Sequence, residues 1–500
     1  MNAFSNLMMG FSVALAPANL LLAFLGSAIG TLIGVLPGIG PSAGAALLIP
    51  LTFTMEPTGA IIMLTALFYG TQYGGTITSV LLNVPGEAAS AITCLDGHAM
   101  AKQGRAGTAL SLAAIGSFMG GLFATLCLVV AAIPLTKMAL QFGPVESFAL
   151  LTVGLSLMMG LAGKSIIKAL MMGVLGLLLA MVGLDPVRGM PRFTFDRLEL
   201  MDGIGFIPII MGIFGLAEVL SNAEDGFGTM KLAKMSSLFP TKQDLKDSVG
   251  PIARGSLIGT GLGLIPGMTG SAASFLSYIA EKKASRTPEK FGTGMVQGVV
   301  GPETANNAHA NGALIPLFTL GIPSSPTVAV IMGAFMMHGL IPGPFLFQEH
   351  PDIAWGVIAS FVIGNLMLLI LNLPLIGIWV KILKIPYGLL FAIILAFMII
   401  GSYSVNNSVF EIGIMVVFGI VSYFLRKMDF PMAPLVLTLI LGPQMERSLR
   451  QSLEISQGSF AIFIETPLSA VLFAIAAVIL IAPAFKSLRK GKNSISGEST

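Results

Sequence analysis

The chain is poor in the residues on which most soluble proteins and enzymes depend. Only 10% of its 500 residues are charged, whereas soluble domains carry about a quarter. Its two cysteines, Cys94 and Cys127, are too few for a disulfide framework or a cysteine-ligated metal site. It also lacks a Walker A loop, a nucleophile elbow and the HExxH and CxxC motifs. The sequence therefore does not predict an enzyme.

Long apolar segments dominate the chain instead. The sequence is 55% hydrophobic with a mean hydropathy of +0.89, and a helix needs about 20 apolar residues to cross a membrane. Segments of this kind are Thr108–Pro134, Val145–Ala162, Ile166–Leu184, Phe206–Leu220, Ala354–Asn372, Tyr387–Gly401, Phe410–Leu425 and Leu468–Pro483. Together with two broken segments they predict about ten to fourteen passes through the lipid bilayer.

The positions of the basic residues indicate how the chain is oriented in the membrane. The net charge of +3 needs no nucleic-acid partner, because lysine and arginine gather in short loops, as membrane topology places them. The most polar internal stretch is predicted to be a cytoplasmic connector (221–254) between a first transmembrane repeat (1–220) and a second (255–485), with a cytoplasmic tail (486–500). The lysine and arginine residues of the loops predict that the two repeats have opposite orientations in the membrane. The predicted fold class is an all-α polytopic membrane protein with two inverted repeats, broken helices and re-entrant hairpins.

Two related sequences interrupt the apolar segments. GTLIGVLPGIGPSAGAAL begins at Gly30 and GTGLGLIPGMTGSAAS begins at Gly259, an interval of 229 residues. In lipid, a Pro-Gly break survives only where it is buried in protein or lines a cavity. Paired breaks in two halves of a chain are the best sequence indication of a secondary transporter's binding site. We therefore predict that both Pro-Gly tips (residues 37–42 and 266–271) face such a site.

The residue types at the two tips suit an anion. Proline ends the incoming half-helix, glycine permits close backbone approach, and Ser42 and Ser271 stand where the next helix is predicted to begin. Free N–H groups at a helix start attract anions. The candidate substrate-binding residues at the tips are Gly38, Gly40, Ser42, Gly267, Thr269 and Ser271. The alternative is that the tips are kinks for close packing of small residues.

A second pair of interruptions is predicted where NVPGEAAS begins at Asn83 and LGIPSSPTV begins at Leu320. Polar groups at membrane depth are costly, so such clusters indicate a solute pathway. The candidate substrate-binding residues here are Asn83, Gly86, Ser90, Pro323, Ser324 and Ser325, and the candidate ion-binding residues are Thr76, Ser79, Asn306, Asn307 and Asn311, because hard cations prefer oxygen ligands. The alternative is that these side chains bond helix carbonyls, with Glu87 capping the helix after Gly86.

Four blocks of the sequence carry a family resemblance. In chain order they are GTLIGVLPGIGPSAGAALLIPLTF, FYGTQYGGTITSVLLNVPGEAASAITCLDGHAMAKQGRAGTAL, GSLIGTGLGLIPGMTGSAASFLSYIAEKK and VVGPETANNAHANGALIPLFTLGIPSSPTVAVIMGAFMMHGLIPGP. Together they resemble the large membrane subunit of the tripartite tricarboxylate transporters. The resemblance implies a multi-pass subunit of the bacterial inner membrane, working with a small four-helix membrane subunit and a periplasmic solute-binding protein.

The same resemblance implies a substrate and an energy source. It implies binding-protein-dependent import of citrate-like di- or tricarboxylates or related organic anions by alternating access, driven by an ion gradient that is typically Na⁺, with no other cofactor. The membrane-depth portions of the four blocks contain no basic residue. Helix N-termini, hydroxyl and amide donors and bound Na⁺ must then neutralise the carboxylates. The alternative function is an anion-selective channel, which conducts without saturating.

Overall fold

The chain forms helices almost throughout the part that a computed structural model describes, residues 3–36, 38–161, 165–185, 189–225, 239–382 and 387–495. Up to residue 225 the helices are α1 (Ala3–Ala14), α2 (Pro17–Val35), α3 (Pro41–Thr52), α4 (Pro57–Leu82), α5 (Thr93–Lys102), α6 (Ala106–Ala139), α7 (Pro144–Leu161), α8 (Ile166–Ala180), α9 (Phe206–Ile210) and α10 (Ala217–Asp225).

The helices that follow are α11 (Lys242–Gly263), α12 (Gly270–Ala284), α13 (Gln297–Gly312), α14 (Leu314–Leu320), α15 (Pro326–Met337), α16 (Pro344–Glu349), α17 (Pro351–Asn372), α18 (Ile376–Ile382), α19 (Tyr387–Asn406), α20 (Val409–Lys427), α21 (Met432–Ile455), α22 (Ile462–Glu465) and α23 (Pro467–Ile495). Shorter elements are 3₁₀ turns at Ala88–Ala91, Leu198–Leu200 and Pro288–Lys290, a π-helical stretch at Met211–Leu216, and the antiparallel strands β1 (Gly183–Leu184) and β2 (Pro191–Arg192).

The helix lengths and compositions are those of a membrane protein. Among the described residues, six helical segments are long and apolar enough to cross a membrane: Pro17–Val35, Ala106–Ala139, Pro144–Leu161, Phe206–Glu224, Pro351–Asn372 and Val409–Lys427. Shorter apolar helices accompany them. The chain is therefore an all-α polytopic membrane protein, as the sequence predicts, and the number of passes stays a prediction.

Two element boundaries differ from the sequence-based expectation. The segment predicted as a span over Ile166–Leu184 ends as a helix at Ala180, because Gly183 has a φ of +120° and enters the β1–β2 pair. The predicted connector, 221–254, is helical at both ends, since α10 runs to Asp225 and α11 begins at Lys242. Residues 226–238 of that connector lie outside the described residues.

Close helix packing is repeated in the two parts of the chain. Helices α2 and α11 each have three glycines spaced four residues apart. Those of α2 face backbone carbonyl oxygens of α4, and those of α11 face backbone carbonyl oxygens of α13. A Cβ atom at any of these glycines would lie 2.1–2.8 Å from the facing oxygen. The facing pairs are Gly26 with Met63, Gly30 with Leu67, Gly34 with Thr71, Gly255 with Gly301, Gly259 with Ala305 and Gly263 with His309. Small residues let helix backbones approach closely in membranes. The duplicated sequence thus makes the same packing twice.

The directions of α6 and α17 bear on the inverted arrangement. Leu110 and Ala113, early in α6, line a small void together with Asn372 at the end of α17, whereas Gly121, further along α6, contacts Asn365. The two helices therefore run antiparallel. Helices α6 and α17 follow the second interruption of each predicted repeat, so their opposite directions support inverted repeats, which stay a prediction.

The loops predicted to be cytoplasmic lie close together. Arg105, just before α6, forms an ion pair of 2.7 Å with Asp244 in the first turn of α11. Asp96 of α5 accepts hydrogen bonds from the backbone N–H groups of Gly292, Gly294 and Met295, in the loop after α12. This arrangement agrees with a hairpin of α11 and α12 that enters and returns on one side of the membrane.

Candidate binding cavity between the helix breaks

At both Pro-Gly tips a helix ends, a glycine has a positive φ and a new helix begins. Helix α2 ends at Val35 and α3 begins at Pro41, while α11 ends at Gly263 and α12 begins at Gly270. Between them, Gly38 has a φ of +90° and Gly267 a φ of +88°. A residue with a Cβ atom rarely adopts this left-handed conformation, which explains the glycine at both tips. Pro37, the first residue of the first tip, lies outside the described residues.

Both tips line a single cavity of about 420 Å³. This volume lies within the range of about 300–1,000 Å³ that is usual for small-molecule sites. The lining residues are Gly38, Gly40, Pro41, Ser42, Phe68, Gln72, Pro85, Gly86, Glu87, Ala88, Ala89, Glu218, Thr269, Gly270, Ser271, His309, Ser325, Pro326 and Thr327. Positions near 40, 87, 270 and 326 are far apart in sequence, and the fold brings all four breaks to one chamber.

Hydrogen bonds tie each tip to a neighbouring element. The Ser42 hydroxyl lies 2.9 Å from that of Thr327, which joins the first tip to the start of α15. The N–H of Gly267 donates to the carbonyl oxygen of Ser324 at 3.0 Å, so the second tip also contacts the segment before α15. Asn222 donates from Nδ2 to the carbonyl oxygen of Gly38 at 2.9 Å. The tips are thus held by side chains and backbone from other parts of the chain.

The Ser42–Thr327 hydrogen bond is expected to appear as energetic coupling between the two positions. A hydrogen bond between neutral groups contributes about 0.5–1.5 kcal/mol net, so each single variant, Ser42→Ala or Thr327→Val, should lower the unfolding temperature of the purified protein. The double variant should lose clearly less than the sum of the two single losses, since the bond can be lost only once. Thermal unfolding in detergent measures this, and strictly additive losses would argue against the contact.

Seven of the predicted substrate-binding residues line the cavity: Gly38, Gly40, Ser42, Gly86, Thr269, Ser271 and Ser325. Ser42 and Ser271 are the second residues of α3 and α12, where the sequence predicts that helices begin, and the N-cap residues are Gly40 and Thr269. Thr269 accepts a hydrogen bond from the N–H of Ala272, the usual role of a capping hydroxyl. Ser42 is therefore free to bond Thr327.

The other predicted substrate-binding residues lie outside the cavity lining. Asn83 ends α4 in a left-handed conformation and is exposed. Ser90 is buried and accepts a hydrogen bond from Ser79 at 2.9 Å. Ser324 is buried and donates to the carbonyl oxygen of Ala313. Gly267 packs against the backbone of α7, and Pro323 precedes the lining segment that begins at Ser325.

The candidate ion-binding residues are buried and do not line the cavity. Asn306 is next to it, because its Nδ2 donates to Glu87 Oε1 at 2.8 Å. Asn307 and Asn311 donate to Ser117 and to the carbonyl oxygen of Gly121, and their Oδ1 atoms have no hydrogen-bond partner in the described part of the chain. Thr76 donates to Glu303, and Ser79 donates to Ser90.

Sequence reasoning did not select Phe68, Gln72 or Glu218, all of which line the cavity, or Glu303 behind it. Glu218 is paired with Arg426 of α20. Glu303 is almost fully buried and accepts hydrogen bonds from Thr76 and Thr93. The available signal was a carboxylate inside the predicted span 206–220 and another in the polar stretch that begins at Gly301, since ionisable residues at membrane depth default to functional candidates.

The cavity wall contains no lysine or arginine among the residues that the structure describes, but it contains three starts of α-helices. Helices α3, α12 and α15 begin at Pro41, Gly270 and Pro326, and each of these residues lines the cavity. A helix start carries about half a positive charge together with N–H groups that have no helical partner. His309 Nε2 donates toward the carbonyl oxygen of Met268 at 3.1 Å. The site therefore offers donors and partial positive charge without fixed cations.

Comparison with known proteins decides the family. Residues 20–437 match the family described as the tripartite tricarboxylate transporter TctA family. The chain belongs to this TctA family. A protein of Agrobacterium vitis, described as an uncharacterized 52.8 kDa protein in the TAR-I ttuC' 3' region, is 47% identical over 99% of both chains. Another from the same organism, described as an uncharacterized protein in the TAR-II ttuC' 3' region, is 46% identical over 47% of this chain and 98% of its own length.

No solved structure matches the chain. The family assignment confirms the resemblance found from the four sequence blocks. A TctA-family protein is the large membrane subunit of a tripartite tricarboxylate transporter, which acts with partner subunits and a binding protein. The chain is therefore a transport protein of the membrane, and the cavity between its helix breaks is the candidate place for its solute.

Proposed function

We propose that this TctA-family subunit imports citrate-like di- or tricarboxylates, or related organic anions, across the bacterial inner membrane. It receives the anion from a periplasmic solute-binding protein, works beside a small four-helix membrane subunit, and is driven by a Na⁺ gradient through alternating access. The anion binds in the cavity between the two Pro-Gly tips. The observation that carries the proposal is the convergence of three helix starts on a cavity whose described wall has no basic residue.

The helix starts favour a carboxylate over a neutral or cationic solute. Free N–H groups at a helix start bind carboxylate and phosphate oxygens without a charged side chain. Hydroxyl groups of Ser42, Ser271 and Thr327 add further donors around the same chamber. Each carboxylate beyond the first needs additional positive charge, and a co-bound Na⁺ supplies one unit. Substrate charge and ion coupling are therefore linked by the composition of the site.

The proposal is tested by reconstitution. The chain and its small membrane subunit are placed in proteoliposomes, and citrate-loaded binding protein is added outside with an inward Na⁺ gradient. We expect saturable accumulation of labelled citrate that stops when the gradient is collapsed, and a panel of di-, tri- and aromatic carboxylates then compares substrates. Flux that does not saturate and needs neither binding protein nor gradient would contradict the proposal and favour an anion-selective channel.

A further inference from the structure

Glu303 is a buried carboxyl group that the proposed function does not use. It lies in α13 and is only 1% exposed. Its Oε2 accepts a hydrogen bond from Thr76 and its Oε1 accepts one from Thr93, each at 2.5 Å. Within the described ranges, no lysine, arginine or histidine lies at ion-pair distance from it. A buried charge without a cation is costly, so a carboxyl group in this position is expected to hold a proton.

The arginines around α13 are engaged with other carboxylates. The elements packed against α13 are α4, α5, α6, α11, α12, α14 and the 3₁₀ turn before α5. Arg254 donates to Glu281 at 2.8 and 2.6 Å, and Arg105 donates to Asp244 at 2.7 Å. Apart from exposed side chains without a buried partner, the other titratable groups of these elements and of α13 are Tyr69, Tyr73, Glu87, Cys94, Asp96, His98, Cys127, Tyr278 and His309. In the described part of the chain, none of these groups forms a hydrogen bond with Glu303.

The two threonine partners suit a carboxyl group that gains and loses a proton. A hydroxyl group both donates and accepts hydrogen bonds. The Thr76 hydroxyl has a second acceptor on its own helix, the backbone carbonyl oxygen of Gln72 at 3.4 Å. When Glu303 holds a proton, its O–H donates to Thr76 Oγ1, the Thr76 hydrogen turns to the Gln72 carbonyl, and Thr93 still donates to Glu303 Oε1. Both protonation states are therefore hydrogen-bonded.

The partners of Glu87, in the cavity wall, do not have this freedom. Asn306 donates from Nδ2 to Glu87 Oε1 at 2.8 Å. The Gln72 amide nitrogen, in the orientation that satisfies this amide, lies 2.7 Å and 2.9 Å from the two oxygens of Glu87. Amide N–H groups donate and do not accept. A proton on Glu87 would have no acceptor among these donors, whereas a proton on Glu303 has the Thr76 oxygen.

A small void beside Thr76 offers a route for the proton. It has a volume of about 10 Å³, and its polar lining residues are Tyr73, Thr76, Ser117 and Asn372. One water molecule needs about this much space. Asn372 Oδ1 has no hydrogen-bond partner in the described part of the chain, so it is an available acceptor for such a water. A water at this place can exchange a proton with Glu303 through the Thr76 hydroxyl.

We propose that Glu303 is a proton-binding site that is loaded on one side of the membrane and emptied on the other, so that one proton accompanies the transported anion. On release, the O–H bond of Glu303 breaks and its electron pair stays on the carboxylate. Thr76 takes that hydrogen and passes its own to the water. The proton offsets one negative charge of the anion. This inference goes beyond the proposed function, which names Na⁺ as the coupling ion, by adding a proton to the transported species.

Infrared spectroscopy tests the proton site directly, without any organic substrate. A protonated carboxylic acid has a carbonyl stretching band that is separate from those of carboxylates and amides. In the purified two-subunit membrane complex at neutral pH, we expect Glu303→Gln to lose acid-band intensity that the wild type shows. Glu218→Gln should leave the band unchanged, because Arg426 keeps that carboxylate charged. Folded Glu303→Gln protein with the acid band of the wild type would overturn the inference.

A second variant tests the partner of the proton and leaves the carboxyl group in place. Thr76→Val removes the hydroxyl that accepts the hydrogen bond of the acid, so the acid band should shift in frequency. The matched control is Thr65→Val, since Thr65 is also buried in α4 but donates only to helix carbonyl oxygens. It should leave the band in place. Thermal unfolding verifies that each variant is folded, and an unshifted band in Thr76→Val would contradict the relay through Thr76.

Transport assays decide whether the proton moves with the anion. In proteoliposomes, exchange of internal for external citrate needs no proton release, whereas net uptake does. Glu303→Gln holds the site in a neutral form, so exchange should persist while net uptake falls by about tenfold or more, as expected when a step that sets the turnover rate is blocked. An imposed pH gradient should speed net uptake by the wild type but not by Glu303→Gln.

The outcomes separate the inference from the proposed function. Unchanged net uptake by folded Glu303→Gln protein would overturn the inference and leave the proposed function standing. Equal losses of exchange and net uptake would indicate a structural role for Glu303 and would overturn the inference as well. A wild type that moves no carboxylate would overturn the proposed function, and the infrared band would then still decide whether Glu303 holds a proton.

Discussion

Replacing Gly40 with leucine should strongly reduce citrate uptake while leaving the protein folded. Gly40 lines the cavity as the N-cap of α3, and a Cβ atom at this position would meet no atom within 4 Å. Its φ of −68° and ψ of 166° are open to any residue. A leucine side chain therefore projects into free space where the substrate is proposed to bind. Uptake should fall by about tenfold or more, since each 1.4 kcal/mol of lost binding costs a factor of ten.

Gly261→Leu provides a matched control for this prediction. Gly261 is exposed on α11, lies outside the cavity lining, and likewise has no atom within 4 Å of an added Cβ. Both variants add the same side chain to open space, which lies inside the cavity for Gly40 and outside its lining for Gly261. Initial rates of labelled citrate uptake in proteoliposomes compare them. Wild-type uptake by folded Gly40→Leu protein would show that the solute takes another route.

The duplicated Pro-Gly breaks could be predicted from sequence because their physical cause is local. A proline ends a helix and a glycine admits a positive φ whatever surrounds them, and Gly38 and Gly267 have nearly the same φ. The glycine spacing in α2 and α11 is also a local feature, and it lets these helices pack closely against α4 and α13. The helices that lead into the tips pack closely and the tips line a cavity, while their role in binding stays a prediction.

The partners of individual side chains could not be predicted, because they depend on how distant segments approach one another. Ser42 and Thr327 are separated by 285 positions, and Glu87 and Asn306 by 219. Nothing in the local sequence of Ser90 distinguishes a buried hydroxyl bonded to Ser79 from one that lines a cavity. Gln72 shows the same limit, since it stands between Thr71 and Tyr73 in α4 and reaches Glu87 and Asn306 only through the packing of distant segments.

Charge was the least predictable part of the site. The sequence shows no lysine or arginine near the breaks, which is why helix starts are the predicted source of positive charge. It does not show that Arg426 of α20 reaches Glu218, or that Glu87 has amide partners instead. The two carboxylates are equivalent in sequence terms and different in the folded chain.

Replacing Gly259 with alanine should strongly destabilise the protein. A Cβ atom at Gly259 would lie 2.2 Å from the carbonyl oxygen of Ala305 and 2.8 Å from the Cβ of Ala308. Both atoms belong to the interior face of α13, so relief requires α11 and α13 to separate. Overpacking of this kind costs about 1–3 kcal/mol or more. We expect a lower unfolding temperature and less monodisperse protein in detergent, and the same for Gly30→Ala, whose Cβ would lie 2.4 Å from the carbonyl oxygen of Leu67.

Gly261→Ala, two residues further along α11, isolates this packing effect from helix propensity. Alanine replaces glycine in both variants and favours an exposed helix interior by about 1 kcal/mol, but at Gly261 it meets no neighbouring atom. Gly261→Ala should therefore leave the unfolding temperature unchanged or raise it. Equal stability of the two variants would mean that α11 and α13 do not touch at Gly259. The second tip, which follows directly from α11, would then lack the close helix contact that fixes its position at the cavity.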